Sequence, residues 1–109
     1  MNYKVIPTPR FKRQAKKLLK RYRSLLAELQ AFEQDLMANP EQGQSLGQNA
    51  YKIRVAVKSK GKGKSGGVRV ITCLITEEAE IYLLTIYDKS EVESVDDKNL
   101  KEMIKEINE

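Results

Sequence analysis

Residues 51–89 read YKIRVAVKSKGKGKSGGVRVITCLITEEAEIYLLTIYDK, and their pattern predicts the main strands of a sheet. Its opening run alternates apolar residues with Lys52 and Arg54, which is typical of a β-strand that buries one face. The run ends in a ten-residue loop, Lys58–Gly67, that holds four lysines and four glycines. A strand with cations on its free face, next to a lysine-rich loop, predicts a surface that binds phosphate.

Two more strands complete the stretch. The second is Val68–Ile75, with Arg69 near its start, and a turn at residues 77–78 leads into the third at Glu80–Tyr87. The third run is apolar on both faces, so we expect it in the interior of the sheet. The three runs therefore predict consecutive antiparallel strands.

The N-terminal part of the chain predicts an edge strand and a strongly basic helix. Asn2–Pro7 is β-prone and ends in proline, which cannot donate a hydrogen bond to a central ladder. Thr8 and Pro9 suit the N-cap and the first position of the helix. Its apolar stripe is Phe11, Ala15, Leu18, Leu19 and Tyr22, and its other face holds Arg10, Lys12, Arg13, Lys16, Lys17, Lys20, Arg21 and Arg23. Eight like charges repel one another, so we expect an anionic partner on this face.

The remaining segments predict two further helices and a polar loop. Ser24 is the predicted N-cap of a second helix, which stops at Asn39 before Pro40. Glu41–Ala50 is a predicted loop. Asp96 or Asp97 caps a last helix. The apolar residues expected to be buried in these two helices are Leu25, Leu26, Leu29, Phe32 and Leu36, then Leu100, Met103, Ile104 and Ile107.

The order of elements is β-α-α-β-β-β-α, which predicts an α+β fold. An antiparallel sheet would carry an N-terminal helical hairpin and a C-terminal helix. At 109 residues the chain is expected to form a single domain over residues 1–109.

Charge is divided unequally along the chain. The net charge is +5, but residues 1–69 carry +12 and residues 70–109 carry −7. A basic protein with such polarised charge is expected to meet nucleic acid or an acidic partner. The single cysteine, Cys73, lies in a predicted strand and is interpreted as a core thiol. No apolar run approaches the roughly 20 residues of a membrane span, so we expect a cytoplasmic protein without a membrane partner.

The residue types restrict the possible chemistry. Gly63-Lys64-Ser65 lacks the earlier glycine and the following helix of a nucleotide-binding loop. The chain has no histidine and one cysteine, so histidine–cysteine catalysis is excluded, and no metal or cofactor is predicted.

What remains is a cationic cluster near tyrosines, which suits phosphoryl chemistry on RNA. Lysine among other cations loses its proton more readily, which makes Lys52 a candidate base. Phosphate binding without catalysis explains the same cluster equally well, and both interpretations stay open at this point.

Several motifs together resemble the RelE/ParE superfamily of bacterial toxins, especially its HigB-like and RelE-like ribonucleases. The matching segments are Tyr51–Arg54, Lys60–Val70 and Tyr82–Lys89, together with the basic first helix and the stop at Asn39-Pro40. The resemblance covers nearly the whole chain and implies the same β-α-α-β-β-β-α fold.

The resemblance also implies an activity and partners. The activity is that of a toxin of a type II toxin–antitoxin module, a ribosome-dependent mRNA endoribonuclease that works without metal and inhibits translation. Its partners are mRNA on the ribosome, a cognate antitoxin, and operator DNA only through that antitoxin. The implied phosphate-contacting residues are Lys52, Arg54, Arg69 and Lys89. Where RelE carries a further arginine and a later tyrosine, this chain has Ser90 and an acidic stretch, so Tyr87 stands in as a candidate catalytic residue.

Two alternatives share this fold. One is a DNA gyrase inhibitor of the ParE type, and the other is a non-catalytic module that binds RNA or the ribosome. Two groups of lysines complete the predicted site. Those expected to bind the RNA backbone are Lys58, Lys60, Lys62 and Lys64, and those expected to bind the antitoxin are Lys16, Lys17 and Lys20.

Overall fold

The computed structural model describes residues 3–60, 66–91 and 95–108, which form three α-helices and five β-strands. In chain order these are β1 (Lys4–Pro7), α1 (Pro9–Arg21), α2 (Leu25–Ala38), β2 (Gln44–Gly47), β3 (Ala50–Val55), β4 (Val68–Ile75), β5 (Glu80–Asp88) and α3 (Asp97–Ile107).

The five strands form one sheet in the order β1-β5-β4-β3-β2. The predicted α+β fold is confirmed, as are the edge position of β1 and the interior position of β5. The expectation of a wholly antiparallel sheet is wrong, because β1 pairs with β5 in parallel. Alternation within a strand fixes its faces but not the direction of a partner at the far end of the chain.

β2 lies where the sequence predicts only a loop. Gln44–Gly47 pairs with the start of β3 across a two-residue turn. Both turn residues, Gln48 (φ 57°) and Asn49 (φ 60°), adopt the left-handed conformation that a tight hairpin requires. β2 was missed because its residues are polar and mostly exposed, so it shows no apolar alternation.

The first two helices cover one face of the sheet, and α3 covers the other. The Thr8 hydroxyl caps α1 by accepting from the amide of Phe11 at 3.2 Å, and it also donates to the carbonyl of Leu83 at 2.8 Å. This one side chain therefore fixes the start of α1 against β5. The Asp96 carboxylate caps α3 by accepting from the amide of Asn99 at 2.9 Å.

The predicted N-cap position of Ser24 is confirmed, but the expected burial of Leu26 is wrong. Ser24 occupies the N-cap position, but its hydroxyl bonds to Glu28 and Ser59 rather than to a helix amide. Leu26 is 56% exposed instead of buried. It lies about 100° around the helix from Leu25, whose stripe faces the core.

A turn and a close backbone contact lie between β3 and β4. Residues Lys58–Lys60 form a 3₁₀ turn, and the strand predicted to reach Val57 ends at Val55. A β-carbon on Gly67 would overlap the carbonyl of Val55, so only glycine allows the two strands to approach here. Within the described residues, no helix has the length and apolar character needed to cross a membrane.

Candidate functional site

Three of the predicted site residues lie in one row across the sheet. Arg54 on β3 is paired with Arg69 on β4, and Arg69 is paired with Tyr87 on β5. Strands are about 4.8 Å apart, so paired side chains on one face are immediate neighbours. Val55 and Val68 belong to the core beneath α1 and α2. Alternation therefore places this arginine–tyrosine row (Arg54, Arg69 and Tyr87) on the α3 side of the sheet.

The two arginines of the row differ in exposure. Arg54 is exposed, whereas Arg69 is 3% exposed. Burial and then the charge of Arg54 lower the pKa of Arg69, and Tyr87 acts in the opposite direction. Arg69 also donates to the carbonyl of Val68 at 3.4 Å. Two adjacent guanidinium groups form a strongly positive patch, with one member held firmly in the sheet.

Tyr87 is the buried member at the other end of the row. It packs in the core under α3 with Leu100 and Met103. Burial raises the pKa of its hydroxyl, and the charge of Arg69 opposes this rise. Its hydroxyl oxygen is buried and has no hydrogen-bond partner among the described residues. The phenol is therefore protonated at neutral pH.

Lys52 and Lys89 flank the row. Lys52 lies two residues before Arg54 on the same face of β3, and both border an open depression of about 420 Å³ beside β2. Lys89 is exposed just beyond β5, and its amide donates to the carbonyl of Gly67 at 3.4 Å. The fold thus brings Lys52, Arg54 and Arg69 together and places Lys89 near the start of β4.

The predicted RNA-binding lysines separate into different environments. Lys58 is exposed, while Lys62 and Lys64 lie outside the described residues. The side chain of Lys60 is only 7% exposed and forms an ion pair with Asp88 at 2.6 Å. The ammonium of Lys60 therefore binds Asp88 on the α1 side of the sheet and does not face the row on the α3 side.

Asp88 lies at the centre of a buried polar cluster that was not predicted from the sequence. Its carboxylate is 1% exposed and accepts hydrogen bonds from Lys60 (2.6 Å), the Tyr22 hydroxyl (2.5 Å), and the amide and hydroxyl of Ser90 (2.9 and 2.7 Å). Burial alone would raise the pKa of Asp88, but these hydrogen bonds outweigh it and hold the pKa well below its usual range. We call Asp88, Lys60, Tyr22 and Ser90 the Asp88 cluster. The available sequence signal was an acidic residue at the end of an otherwise apolar strand, next to Lys89.

Most cations on the basic face of α1 are exposed, but two of them have partners within the chain. Arg10 pairs with Glu106 at 2.6 Å, and Arg21 pairs with Glu91 and lies 3.6 Å from Asp88. Lys16, Lys17 and Lys20 are exposed. The expectation that all eight cations await an external partner is therefore too broad.

An apolar groove of about 480 Å³ lies between α1 and α2. The exposed Leu26 forms part of it, and Lys16 and Lys20 stand on its α1 side, whereas Lys17 borders a separate depression near Tyr87. We call this the helical groove. Its lining is Pro7, Phe11, Lys12, Ala15, Lys16, Leu19, Lys20, Leu26, Leu29, Gln30 and Glu33.

The described part of the chain contains no group of three or more cysteine, aspartate or glutamate side chains arranged to hold a metal ion. The candidate site in this part of the chain is instead the cationic arginine–tyrosine row.

Comparison with known proteins identifies the class of this chain. The family described as "RelE toxin of RelE / RelB toxin-antitoxin system" matches residues 3–109. The chain therefore belongs to the RelE toxin family, which confirms the resemblance stated from the sequence.

The fold is also similar to a solved structure, the free state of an Escherichia coli RelE mutant in which two arginines are replaced by alanine. The two chains are 17% identical with a TM-score of 0.64, and the match covers 98% of this chain and 99% of the other. At that identity the similarity concerns the fold.

Proposed function

We propose that this RelE-family toxin is an endoribonuclease that cleaves mRNA on the ribosome and so inhibits translation. The observation that supports it best is the arginine–tyrosine row, in which two cations and a protonated phenol lie side by side on adjacent strands. A scissile phosphate needs cations around phosphorus and an acid at the leaving oxygen. The row offers both within one site.

The proposed reaction is attack of the ribose 2′-oxygen on the adjacent phosphorus. The O2′–P bond forms and the P–O5′ bond breaks, leaving a 2′,3′-cyclic phosphate and a 5′-hydroxyl. Arg54 and Arg69 stabilise the charge that builds on the phosphoryl oxygens, since arginine donates to them in a fixed fork. Lys52 is the candidate acceptor of the 2′-hydroxyl proton, and Tyr87 is the candidate donor to the leaving O5′.

Exposure decides how the substrate would meet these groups. Arg54 is exposed and Lys52 half-buried, so they make the first contacts with the RNA backbone. Arg69 and Tyr87 lie deeper. Lys89, exposed beyond β5, adds positive charge near the start of β4. We therefore propose that RNA lies across the α3 side of the sheet at the end occupied by the row.

We also propose that the cognate antitoxin binds α1 and the helical groove. The groove joins apolar residues to a border of lysines, so its complement is an amphipathic helix with acidic residues beside its apolar stripe. Lys16 and Lys20 would pair with those acids, with Lys17 contributing from the neighbouring face. Operator DNA would be reached only through the antitoxin, and the site of action would be ribosomes in the cytoplasm.

Expression in growing cells, followed by mapping of RNA 5′ ends, tests the proposed activity. New 5′ ends within translated mRNA, absent from an Arg69→Ala strain, are the expected result. Growth arrest with intact mRNA and damaged DNA topology would favour a gyrase inhibitor. Arrest with intact mRNA and normal DNA topology would favour a non-catalytic ribosome-binding module.

A further inference from the structure

The end of β5 carries candidate site residues but has limited backbone support. β1 pairs only with Glu80–Leu83, so the second half of β5 has a ladder to β4 but none to β1. The last registered pair of that ladder is Val68 with Asp88. Strand ends with few backbone hydrogen bonds open readily unless side chains hold them.

The side chain of Asp88 fixes the end of β5 by hydrogen bonds on the opposite face of the sheet. It stands between Tyr87 and Lys89, and alternation turns its side chain toward α1, away from the row. Its donors come from three separate segments, namely Tyr22 after α1, Lys60 after β3, and Ser90 after β5. The ammonium of Lys60 also lies 5.5 Å from the ring centroid of Tyr22, within range of a cation–π contact.

The turn that carries Lys60 is itself fixed. The amide of Lys58 donates to Glu28 at 2.8 Å, and the amide of Ser59 donates to Ser24 at 3.0 Å. These bonds join the 3₁₀ turn to the start of α2. The Lys60 side chain that binds Asp88 therefore extends from a turn that is itself fixed to α2.

We propose that Asp88 is a positioning residue for the site, which fixes the end of β5 so that Tyr87 and Lys89 stand beside Arg69. The inference rests on the proposed function and adds a residue that does not touch the substrate. It also assigns Lys60 to this positioning role rather than to direct contact with RNA.

The decisive variants are Asp88→Asn, Lys60→Met and their double mutant, with Glu91→Gln as a matched control in the same region. Asp88→Asn should lower kcat for ribosomal mRNA cleavage by about a hundredfold, as expected when a reacting group is misplaced by about 1 Å. KM should stay within about twofold, because Lys52 and Arg54, which are proposed to make the first contacts with RNA, lie on β3 and are not held by Asp88. The double mutant should be no slower than the slower single mutant. Additive losses, or a rise in KM with Lys60→Met, would overturn the proposal by showing that Lys60 contacts RNA itself.

Amide hydrogen exchange provides a readout that does not depend on activity. Asp88→Asn and the milder Tyr22→Phe should both speed exchange at Lys60, Lys89 and Glu91, whose amides bond to Val57, Gly67 and Asp88. Unchanged exchange would overturn the positioning role even if cleavage fell. If wild type did not cleave RNA, the proposed function would fail on its own, while exchange would still report whether Asp88 holds the strand end.

Discussion

Arg54 and Arg69 lie directly opposite one another on adjacent antiparallel strands. Like charges in this position destabilise a sheet. Burial lowers the pKa of Arg69 most, and the charge of Arg54 lowers it further. The folded protein therefore holds two guanidinium groups next to each other on one face of the sheet. Under the proposed function, a phosphate would meet both groups without a rearrangement of the strands.

Arg69→Ala should abolish toxicity while the protein stays folded. Loss of a charge-assisted phosphate contact costs on the order of 3 kcal/mol in the transition state, or about a hundredfold in rate. Growth arrest on expression and single-turnover cleavage measure the loss, and thermal unfolding confirms the fold. Lys101→Ala on the exposed side of α3 is the control. Growth arrest equal to that of wild type would rule out the role of Arg69.

Arg54→Gln should stabilise the protein while it slows cleavage. Removing the repulsion across the strand pair should raise the free energy of unfolding by about 0.5 kcal/mol at low salt. Urea denaturation at low and high salt measures this gain, which should shrink as salt screens the charges. Arg23→Gln, at another exposed arginine, should show no comparable gain. A destabilised Arg54→Gln protein would contradict the expectation.

The loop lysines should not behave alike. Lys58, Lys62 and Lys64 remain predicted RNA contacts, and replacing all three should reduce the salt slope of RNA binding by about two units, at roughly 0.7 per single-stranded phosphate. Lys60→Met should instead lower stability, because it leaves Asp88 charged without its ammonium partner. Filter binding over a salt series, with urea denaturation, separates the two effects. An unchanged slope in the triple variant would assign the loop another role.

Antitoxin binding should depend on both the lysines and the apolar residues of α1 and the helical groove. Charge reversal at Lys16, Lys17 and Lys20 should weaken binding in a salt-sensitive way, chiefly by slowing association. Leu26→Ser removes an apolar side chain and should weaken affinity roughly tenfold through faster dissociation. Leu26 is already exposed, so folding should be unaffected. Calorimetric and kinetic titrations test both, and affinities within twofold of wild type would place the antitoxin elsewhere.

Asp88 should make stability depend on pH in the acid range. Its folded pKa is depressed, so its contribution is complete above the unfolded value near 4 and declines as pH falls below it. Urea denaturation from pH 7 to pH 3 should show this loss in wild type. Asp88→Asn should begin about 3 kcal/mol less stable at pH 7 and lose less on acidification. Parallel curves for the two proteins would contradict the expectation.

Sequence patterns predicted much of the fold because strand alternation and helix ends depend on residues that are close in sequence. β4 has the predicted bounds, Val68–Ile75, and Asn39 ends α2 as expected. The parallel pairing of β1, the polar strand β2 and the exposure of Leu26 depend on tertiary packing, and the sequence pattern did not contain them. The row was predictable because Arg54 and Arg69 alternate with buried valines. The burial of Lys60 was not, because its partner Asp88 is distant in sequence and close only in the fold.

The parallel pairing of β1 with β5 also determines how late in synthesis the sheet can be completed. Lys4 pairs with Glu80, so the first strand is synthesised long before its partner. At 5–20 residues per second this delay is about 4–15 s. Tyr87 follows later still, so the row cannot assemble on a half-made chain. The site proposed for RNA cleavage is therefore incomplete during most of the synthesis of the chain, because its last member comes from the strand that is made last.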